Sequence, residues 1–231
     1  MRRRLALAFA VTLSVGATAP RFEAPAPGSY ELPPILAVKE HRVLDEQGRE
    51  TPLLGLAPGE VALVSFIFLS CSDACPLATA EMARVDAQLA AKPALARRVQ
   101  LVTVSFDPAN DPPAHMAALR ASLAPRGRWR FATAASDAAI APVLVDFGQD
   151  ASPSHVLKIF LVDDAGRVRN IYSTGFLDVR LLLADLETLL GGGADGRRSS
   201  SSSSVRGQSS LSRRESARSA RSLPPVWQRA Q

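Results

Sequence analysis

The stretch that decides the fold reads Val61-Ala-Leu-Val-Ser-Phe-Ile-Phe-Leu69, followed by Ser70-Cys-Ser-Asp-Ala-Cys-Pro76. The first nine residues are almost continuously apolar and rich in β-branched and aromatic side chains, which is typical of a strand buried on both faces of a helix-covered sheet. Apolar residues then recur at helical spacing and predict a helix over residues 75–89, with apolar positions at Leu77, Met82, Val85 and Leu89. The only two cysteines therefore lie at a junction between a strand and a helix.

The alternation of strand and helix continues on both sides of this junction. A hairpin is predicted over residues 43–52, with its turn near Gln47-Gly48. Beyond the first helix the pattern predicts, in order, a buried strand over 99–106, a helix over 111–123, a strand over 129–133, a helix over 137–147, a strand over 156–162, its hairpin partner over 168–173 and an amphipathic helix over 179–190. Strands that alternate with helices in this way predict a single α/β domain.

The N-terminus has the composition of an export signal. Three arginines at positions 2–4 precede an apolar stretch over residues 5–15, and Val15-Gly16-Ala17 is a small-residue cleavage site. Residues 1–17 are therefore predicted to be a signal peptide, the alternative being an uncleaved short anchor, and residues 18–28 a linker. Export would place the two cysteines in an oxidising compartment, where a close pair can cycle between thiols and a disulfide.

The positive charge of the chain is concentrated at its two ends. The net charge is +5, but residues 191–231 carry +6 and residues 1–17 carry +3, which leaves residues 18–190 at −4. Glycines, a run of six serines and alternating Arg and Ser predict that residues 191–231 form a disordered basic tail. This tail is either an electrostatic tether to anionic lipid or an acidic partner, or a solubilising extension. It lacks the interleaved aromatic residues of single-strand binders, so no nucleic-acid binding is expected.

Cys71 and Cys75 are the candidate reactive groups. Sites in open α/β sheets form at the carboxyl ends of strands, and the N-terminus of the following helix favours the thiolate by lowering a thiol pKa. The spacing i, i+4 brings two side chains to one face if the turn is helical. Two sulfur atoms placed in this way could chelate a metal ion or close a disulfide; the alternative is a pair of buried, inert cysteines.

The third group that could join the sulfur atoms is one of three histidines. His41 falls in the N-terminal loop or hairpin region and is expected at the surface. His115 is expected to be a solvated residue of the helix over 111–123. His155 immediately precedes the strand over 156–162, so it could face the cysteines; from spacing alone, an ordinary loop histidine is an equal alternative.

Three ordered motifs carry a family resemblance. Residues 66–76 resemble a strand followed by C-x-x-x-C-P, and residues 105–113 resemble an S-x-D-P-x-x-D-x-P loop. The third motif is a block of a histidine, a hydrophobic-aromatic-Leu triplet and a glycine. It is matched in order and spacing by His155 and the following Ile159-Phe-Leu-Val-Asp-Asp-Ala-Gly166. These are the motifs of the Sco/SenC family of copper proteins with a thioredoxin fold, and the chain resembles that family over residues 29–190.

The resemblance implies a thioredoxin-like domain over residues 29–190, with a central mixed sheet flanked by helices and an N-terminal β-hairpin. It also implies that one copper ion, as Cu(I) or Cu(II), is bound by Cys71, Cys75 and His155. The candidates for supporting these ligands from behind are Asp73, Asp107 and Asp111, for which turn and helix-cap chemistry is the alternative. Two thiolates and an imidazole form a soft, low-coordinate set that suits copper, whereas structural zinc usually takes four ligands.

The function that the resemblance implies is that of an exported, periplasmic metallochaperone, free or associated with the inner membrane through an uncleaved N-terminus or the basic tail. It would deliver copper to, or redox-prepare, the copper site of cytochrome c oxidase, so the expected partner is the oxidase copper-site subunit or another copper chaperone. The alternative is a thiol–disulfide oxidoreductase, in which Cys71 and Cys75 are the catalytic redox pair and carry no metal. Against it, three residues separate the cysteines where thioredoxin has two.

Overall fold

The computed structural model describes residues 24–72, 74–149 and 158–195. These residues form the strands Leu36–Ala37 (β1), Arg42–Asp45 (β2), Glu50–Pro52 (β3), Val61–Ile67 (β4), Val99–Ser105 (β5), Trp129–Thr133 (β6), Lys158–Asp163 (β7) and Arg167–Ser173 (β8). They also form the helices Ala74–Ala90 (α1), Pro93–Ala96 (α2), Pro113–Leu123 (α3), Asp137–Asp146 (α4) and Val179–Asp195 (α5), with a 3₁₀ turn at Thr174–Phe176.

The strands form one mixed sheet in the order β1-β8-β7-β4-β5-β6-β2-β3. The central strands β4, β5 and β6 are parallel, because helices connect them, whereas β7 runs antiparallel to β4 and forms a hairpin with β8. The hairpin predicted over residues 43–52 is formed by β2 and β3, and it joins the sheet through β6. The predicted α/β domain with a central mixed sheet, flanking helices and an N-terminal hairpin is confirmed.

Both faces of β4 are covered, which explains why its sequence is continuously apolar. Alternate residues point to opposite faces, so that Val64 and Phe66 pack with α4 while Leu63 packs with α1, α3 and α5. On the α4 side, the rings of Phe66, Phe147 and Phe160 meet edge to face with centroids 5.0–6.1 Å apart. These contacts fix the carboxyl end of β4 against the start of β7 and the end of α4.

One residue of α1 does not lie where the sequence pattern placed it. Leu77, expected on the buried face with Met82, is 43% exposed, and Ala78 is buried in its place. The five-residue step from 77 to 82 advances well past a full turn of helix, whereas positions 78, 82, 85 and 89 follow the helical period. The buried stripe of α1 therefore begins with a small residue next to the cysteines.

Several element boundaries also differ from the sequence prediction. The last helix, α5, continues through Gly191-Gly-Gly193 to Asp195, five residues beyond the predicted end of the domain. The strand predicted over 156–162 is described from Lys158, and its first two positions lie outside the described residues. In the part of the chain that the structure describes, no helix is both long enough and apolar enough to cross a bilayer.

Candidate metal centre

The two cysteines lie at the carboxyl end of the parallel strands. Ile67 at the end of β4 is paired with Ser105 at the end of β5, so the loops that follow both strands leave the same edge of the sheet. The amide of Phe106 donates to the carbonyl of Ile67 at 3.0 Å and ties the two loops together. The sequence prediction that the cysteines lie at this edge is therefore correct.

Cys71 precedes α1 and does not belong to it. The backbone amide of Cys75, in the first turn of the helix, donates a hydrogen bond to Cys71 Sγ at 3.3 Å. The pair is close because the first sulfur accepts from the helix N-terminus, and not because both side chains lie on one helical face, as the i, i+4 spacing suggested. Cys71 is half-buried, and no disulfide bond joins it to Cys75 in the structure.

Cys75 lies deeper, with 4% of its surface exposed, and packs with Ile67 and Ala78. Burial raises the pKa of its thiol to about 12, although the amide of Phe68 donates to Sγ at 3.5 Å; the neighbouring Cys71 and Asp111 raise the pKa further. The expectation that the helix N-terminus lowers the thiol pKa is wrong for Cys75, because desolvation disfavours the thiolate more than one amide favours it. Binding a metal ion would have to displace this proton.

Asp111 connects the second loop to the cysteine loop. Its side chain is 2% exposed, and Oδ2 accepts from Ser105 Oγ at 2.5 Å and from the amide of Leu69 at 2.9 Å. The helix-cap alternative is excluded, because α3 begins after Pro112 and the carboxyl group of Asp111 points to the neighbouring loop. Ser105 was not singled out from the sequence, although it opens the motif that contains both aspartates.

Asp107 belongs to its own turn. Both of its carboxylate oxygens accept from Asn110 Nδ2 at 3.0 Å, and its amide donates to Ser105 Oγ at 3.1 Å. Of the aspartates proposed to support the ligands, Asp111 contacts the cysteine loop through its side chain, whereas Asp107 shapes the turn that precedes α3. Asp73 lies outside the described residues.

The histidines are separated by the fold. His155 lies outside the described residues. His115 is exposed on α3, as expected, with Nδ1 3.0 Å from the carbonyl of Asn110. His41 is not a free surface residue as expected: its side chain is only 15% exposed, and Nε2 lies 2.8 Å from Asp146 Oδ2. This hydrogen bond, together with donation from the Lys39 amide, lowers the pKa of Asp146.

Among the described residues, no three His, Cys, Asp or Glu side chains form a group that could hold a metal ion. The described part of the site is therefore a dithiol with a buried carboxyl group behind it. It can close a disulfide, or it can supply two soft sulfur ligands to a metal ion that takes its remaining ligand from elsewhere.

The fold and the site define a thioredoxin-like protein with a dithiol at the carboxyl end of its central strands. The sequence profile of the SCO1/SenC family matches residues 38–191, well over half of the 231-residue chain. The chain therefore belongs to the Sco/SenC family. No curated protein matches it.

Solved structures of Sco proteins have the same fold. BsSco, described as a member of the Sco family of cytochrome c oxidase assembly proteins with a disulfide switch, is 25% identical with a TM-score of 0.58, and the match covers 69% of this chain and 96% of BsSco. A SCO1/SenC family lipoprotein of Bacillus anthracis is 24% identical with a TM-score of 0.58, covering 67% and 95%. Sco1 of Thermus thermophilus is 23% identical with a TM-score of 0.52, covering 72% and 98%. The predicted thioredoxin-like fold is thereby confirmed.

Proposed function

We propose that this protein is an exported copper-binding accessory protein that binds one copper ion through Cys71, Cys75 and His155. Its role is to deliver the ion to, or to prepare by thiol chemistry, the copper site of cytochrome c oxidase. The observation that carries the proposal is the pair of neighbouring cysteines, not joined by a disulfide, at the carboxyl end of β4 in a chain of the Sco/SenC family.

The sheet register supports His155 as the third ligand. β7 is antiparallel to β4, with Ser65 opposite Ile159, so the chain enters β7 at the end of the sheet where β4 leads to the cysteines. His155 precedes Lys158 by three residues, and an extended chain advances about 3.5 Å per residue, which keeps its backbone within about 10 Å of Lys158. His41 and His115 belong to other surroundings, since one is paired with Asp146 and the other is exposed on α3.

The donor set fits copper. Two thiolates and one imidazole favour Cu(I) and can also hold Cu(II), and a three-ligand site remains open for the ion to leave. Because oxidation of Cys71 and Cys75 to a disulfide would remove both thiolates, copper binding and the disulfide state exclude each other. The disulfide switch described for BsSco is consistent with this exclusion, so copper loading here should require the reduced protein.

The experiment is a Cu(I) competition titration of the reduced protein against a chromogenic chelator. The parent is expected to bind one ion, and Cys71→Ser, Cys75→Ser and His155→Ala are expected to bind more weakly. His115→Ala is the matched control, because this exposed histidine lies on α3, and it should bind as the parent does. Parental affinity in His155→Ala would refute the three-ligand site, and parental affinity in both cysteine variants would refute the copper function.

A second candidate function, thiol–disulfide exchange without metal, is favoured by the inequality of the two cysteines. Cys71 is half-buried while Cys75 is 4% exposed with a pKa of about 12, which resembles an attacking and a resolving thiol. The test is turnover on an oxidised protein substrate with glutathione as reductant. Multiple turnovers that survive copper chelation and His155→Ala would favour the oxidoreductase; a single slow turnover would favour the chaperone.

The position of the two ends of the folded body supports the proposed export and membrane association. Gly28 donates to Thr188 Oγ1 at 2.9 Å, and Arg98 joins the carbonyl of Leu190 to that of Gly59 just before β4. The first and last parts of the folded body therefore meet at the end of the sheet opposite the cysteines. An anchor over residues 1–17, or a basic tail held to an anionic membrane, would leave the dithiol pointing away from the bilayer.

Fractionation of cells that express the full chain tests this placement. Removal of residues 196–231 with the N-terminus intact, and removal of residues 1–17 with a cleavable leader supplied, separate the contributions of the tail and the N-terminus. Copper binding by both shortened proteins is expected to equal that of the parent. Recovery of the full chain in the cytoplasm would contradict the proposed export.

A further inference from the structure

One peptide group contacts both the buried carboxyl group and the first cysteine. The amide of Leu69 donates to Asp111 Oδ2 at 2.9 Å, and the carbonyl of the same peptide, that of Phe68, accepts from the amide of Cys71 at 3.3 Å. The preceding amide, that of Phe68, donates to Cys75 Sγ at 3.5 Å. Two consecutive peptide groups thus hold the backbone of one cysteine and the sulfur atom of the other.

Asp111 is itself held rigidly. Ser105 Oγ donates to the same oxygen, Oδ2, at 2.5 Å, and the Asp111 amide donates to the carbonyl of Asp107 at 2.9 Å. Pro112 and Pro113 follow directly and restrict the backbone at the start of α3. Since Asp111 is 2% exposed, water competes little for the hydrogen bond between its carboxyl group and the Phe68–Leu69 peptide.

We propose that Asp111 is a positioning residue of the metal centre, which acts on Cys71 and Cys75 through the Phe68–Leu69 peptide and the amide next to it. The effect on copper binding rests on the proposed function, whereas the contacts from Asp111 to the cysteine loop are present in the structure without copper. In this role Asp111 touches no ligand. It sets the place of the Cys71 backbone and of the Cys75 sulfur atom, and its loss lets the loop that carries them rotate before a copper ion can be chelated.

Cu(I) affinities of three variants distinguish the positioning effect of the Asp111 side chain from the effect of its charge. Asp111→Ala removes the acceptor, so Cu(I) affinity is expected to fall by about 10- to 100-fold, with a shifted thiolate-to-Cu(II) absorption band. Asp111→Asn keeps an acceptor oxygen and is expected to stay within about threefold of the parent. Ser105→Ala removes the donor that fixes Asp111, so its Cu(I) affinity is expected to lie between those of Asp111→Ala and Asp111→Asn.

Asp86 offers a matched control. It is another buried aspartate that clamps two backbone amides, those of Arg126 at 2.7 Å and Gly127 at 2.9 Å, in a different part of the fold. Asp86→Ala is expected to lower the midpoint of thermal unfolding while leaving copper affinity and the absorption band unchanged. A purely structural role for Asp111 would make the two alanine variants behave alike, and that result would overturn the proposal.

Amide hydrogen exchange in the metal-free, reduced protein tests the positioning role of Asp111 independently of copper binding. Exchange at Leu69 and Cys71 is expected to accelerate in Asp111→Ala and to remain slow in Asp111→Asn and Asp86→Ala. Unchanged exchange at both amides in Asp111→Ala would overturn the positioning role even if the parent binds copper. Failure of the parent to bind copper, with the expected exchange pattern, would overturn the proposed function and leave Asp111 as the positioning residue of the dithiol.

Discussion

The backbone amide of Cys75 donates to Cys71 Sγ, so the sulfur atom of the first cysteine lies at the N-terminus of the helix that carries the second. This relationship makes the two thiols chemically unequal. Cys71 is half-buried, whereas Cys75 is 4% exposed and lies among apolar side chains that raise its pKa to about 12. The metal-free protein should therefore react with electrophiles at one cysteine first.

Alkylation of the reduced protein with iodoacetamide at pH 8 is expected to modify Cys71 before Cys75. In the Cys71→Ser variant, Cys75 should react slowly, because only about one thiol in ten thousand is ionised four pH units below its pKa. Its rate should rise about tenfold per pH unit while the fold persists. Mass spectrometry of peptides after timed quenching measures both rates, with Cys75→Ser as the converse control. Equal rates at both positions would contradict the assigned inequality.

The turn between β7 and β8 requires glycine at position 166. Gly166 has φ +71°, and a Cβ there would lie 2.5 Å from the carbonyl oxygen of Val38, whereas a Cβ at Gly28, with φ +78°, would have nothing within 4 Å. Gly28→Ala is expected to cost about 1 kcal/mol from left-handed strain alone. Gly166→Ala is expected to cost about 3 kcal/mol, since overpacking adds to the strain. Urea unfolding measures both, and equal costs would show that the close approach to Val38 does not matter.

A buried carboxylate in the same turn gives the fold a pH dependence. Burial alone would raise the pKa of Asp163, but donation from Arg167 and Arg169 outweighs it, so the pKa lies below its ordinary value. The stabilisation is therefore fully present above the ordinary value, about pH 4, and is lost as the pH falls through the lowered native value.

Asp163→Asn is accordingly expected to lower the free energy of unfolding by about 2 kcal/mol at pH 7, as the loss of charged hydrogen bonds does. The difference from the parent should shrink steadily below about pH 4, because the parent then protonates the same group. Glu50→Gln, which breaks the exposed ion pair with Arg42, is the control and should change stability little at any pH. A difference that stays constant down to pH 2 would contradict the assignment.

Much of the fold follows from sequence periodicity. The run at residues 61–67 predicts a covered central strand because burial on both faces removes the usual alternation. Short elements such as Leu36–Ala37 and Pro93–Ala96 were not predicted, since two to four residues carry no measurable period. The glycines at 191–193 were expected to end the final helix, but α5 extends through them, since weak local propensity alone does not set the end of a helix.

Less of the site than of the fold could be predicted from the sequence. Residue type and order indicate Cys71 and Cys75, but not that the first sulfur accepts an amide of the helix or that the second is too buried to ionise easily. Asp111 looks like a helix cap when it is read locally, because its contact with Leu69 spans 42 residues and depends on β4 and β5 ending together. Long-range contacts of this kind follow from topology and cannot be inferred from spacing.

X-ray absorption at the copper edge of the loaded, reduced protein tests the central claim most directly. The account predicts sulfur scattering from two thiolates together with the multiple scattering of one imidazole, and loss of the imidazole contribution in His155→Ala while His115→Ala keeps it. A parent spectrum with sulfur ligands and no imidazole, or an imidazole signal unchanged in His155→Ala, would contradict it.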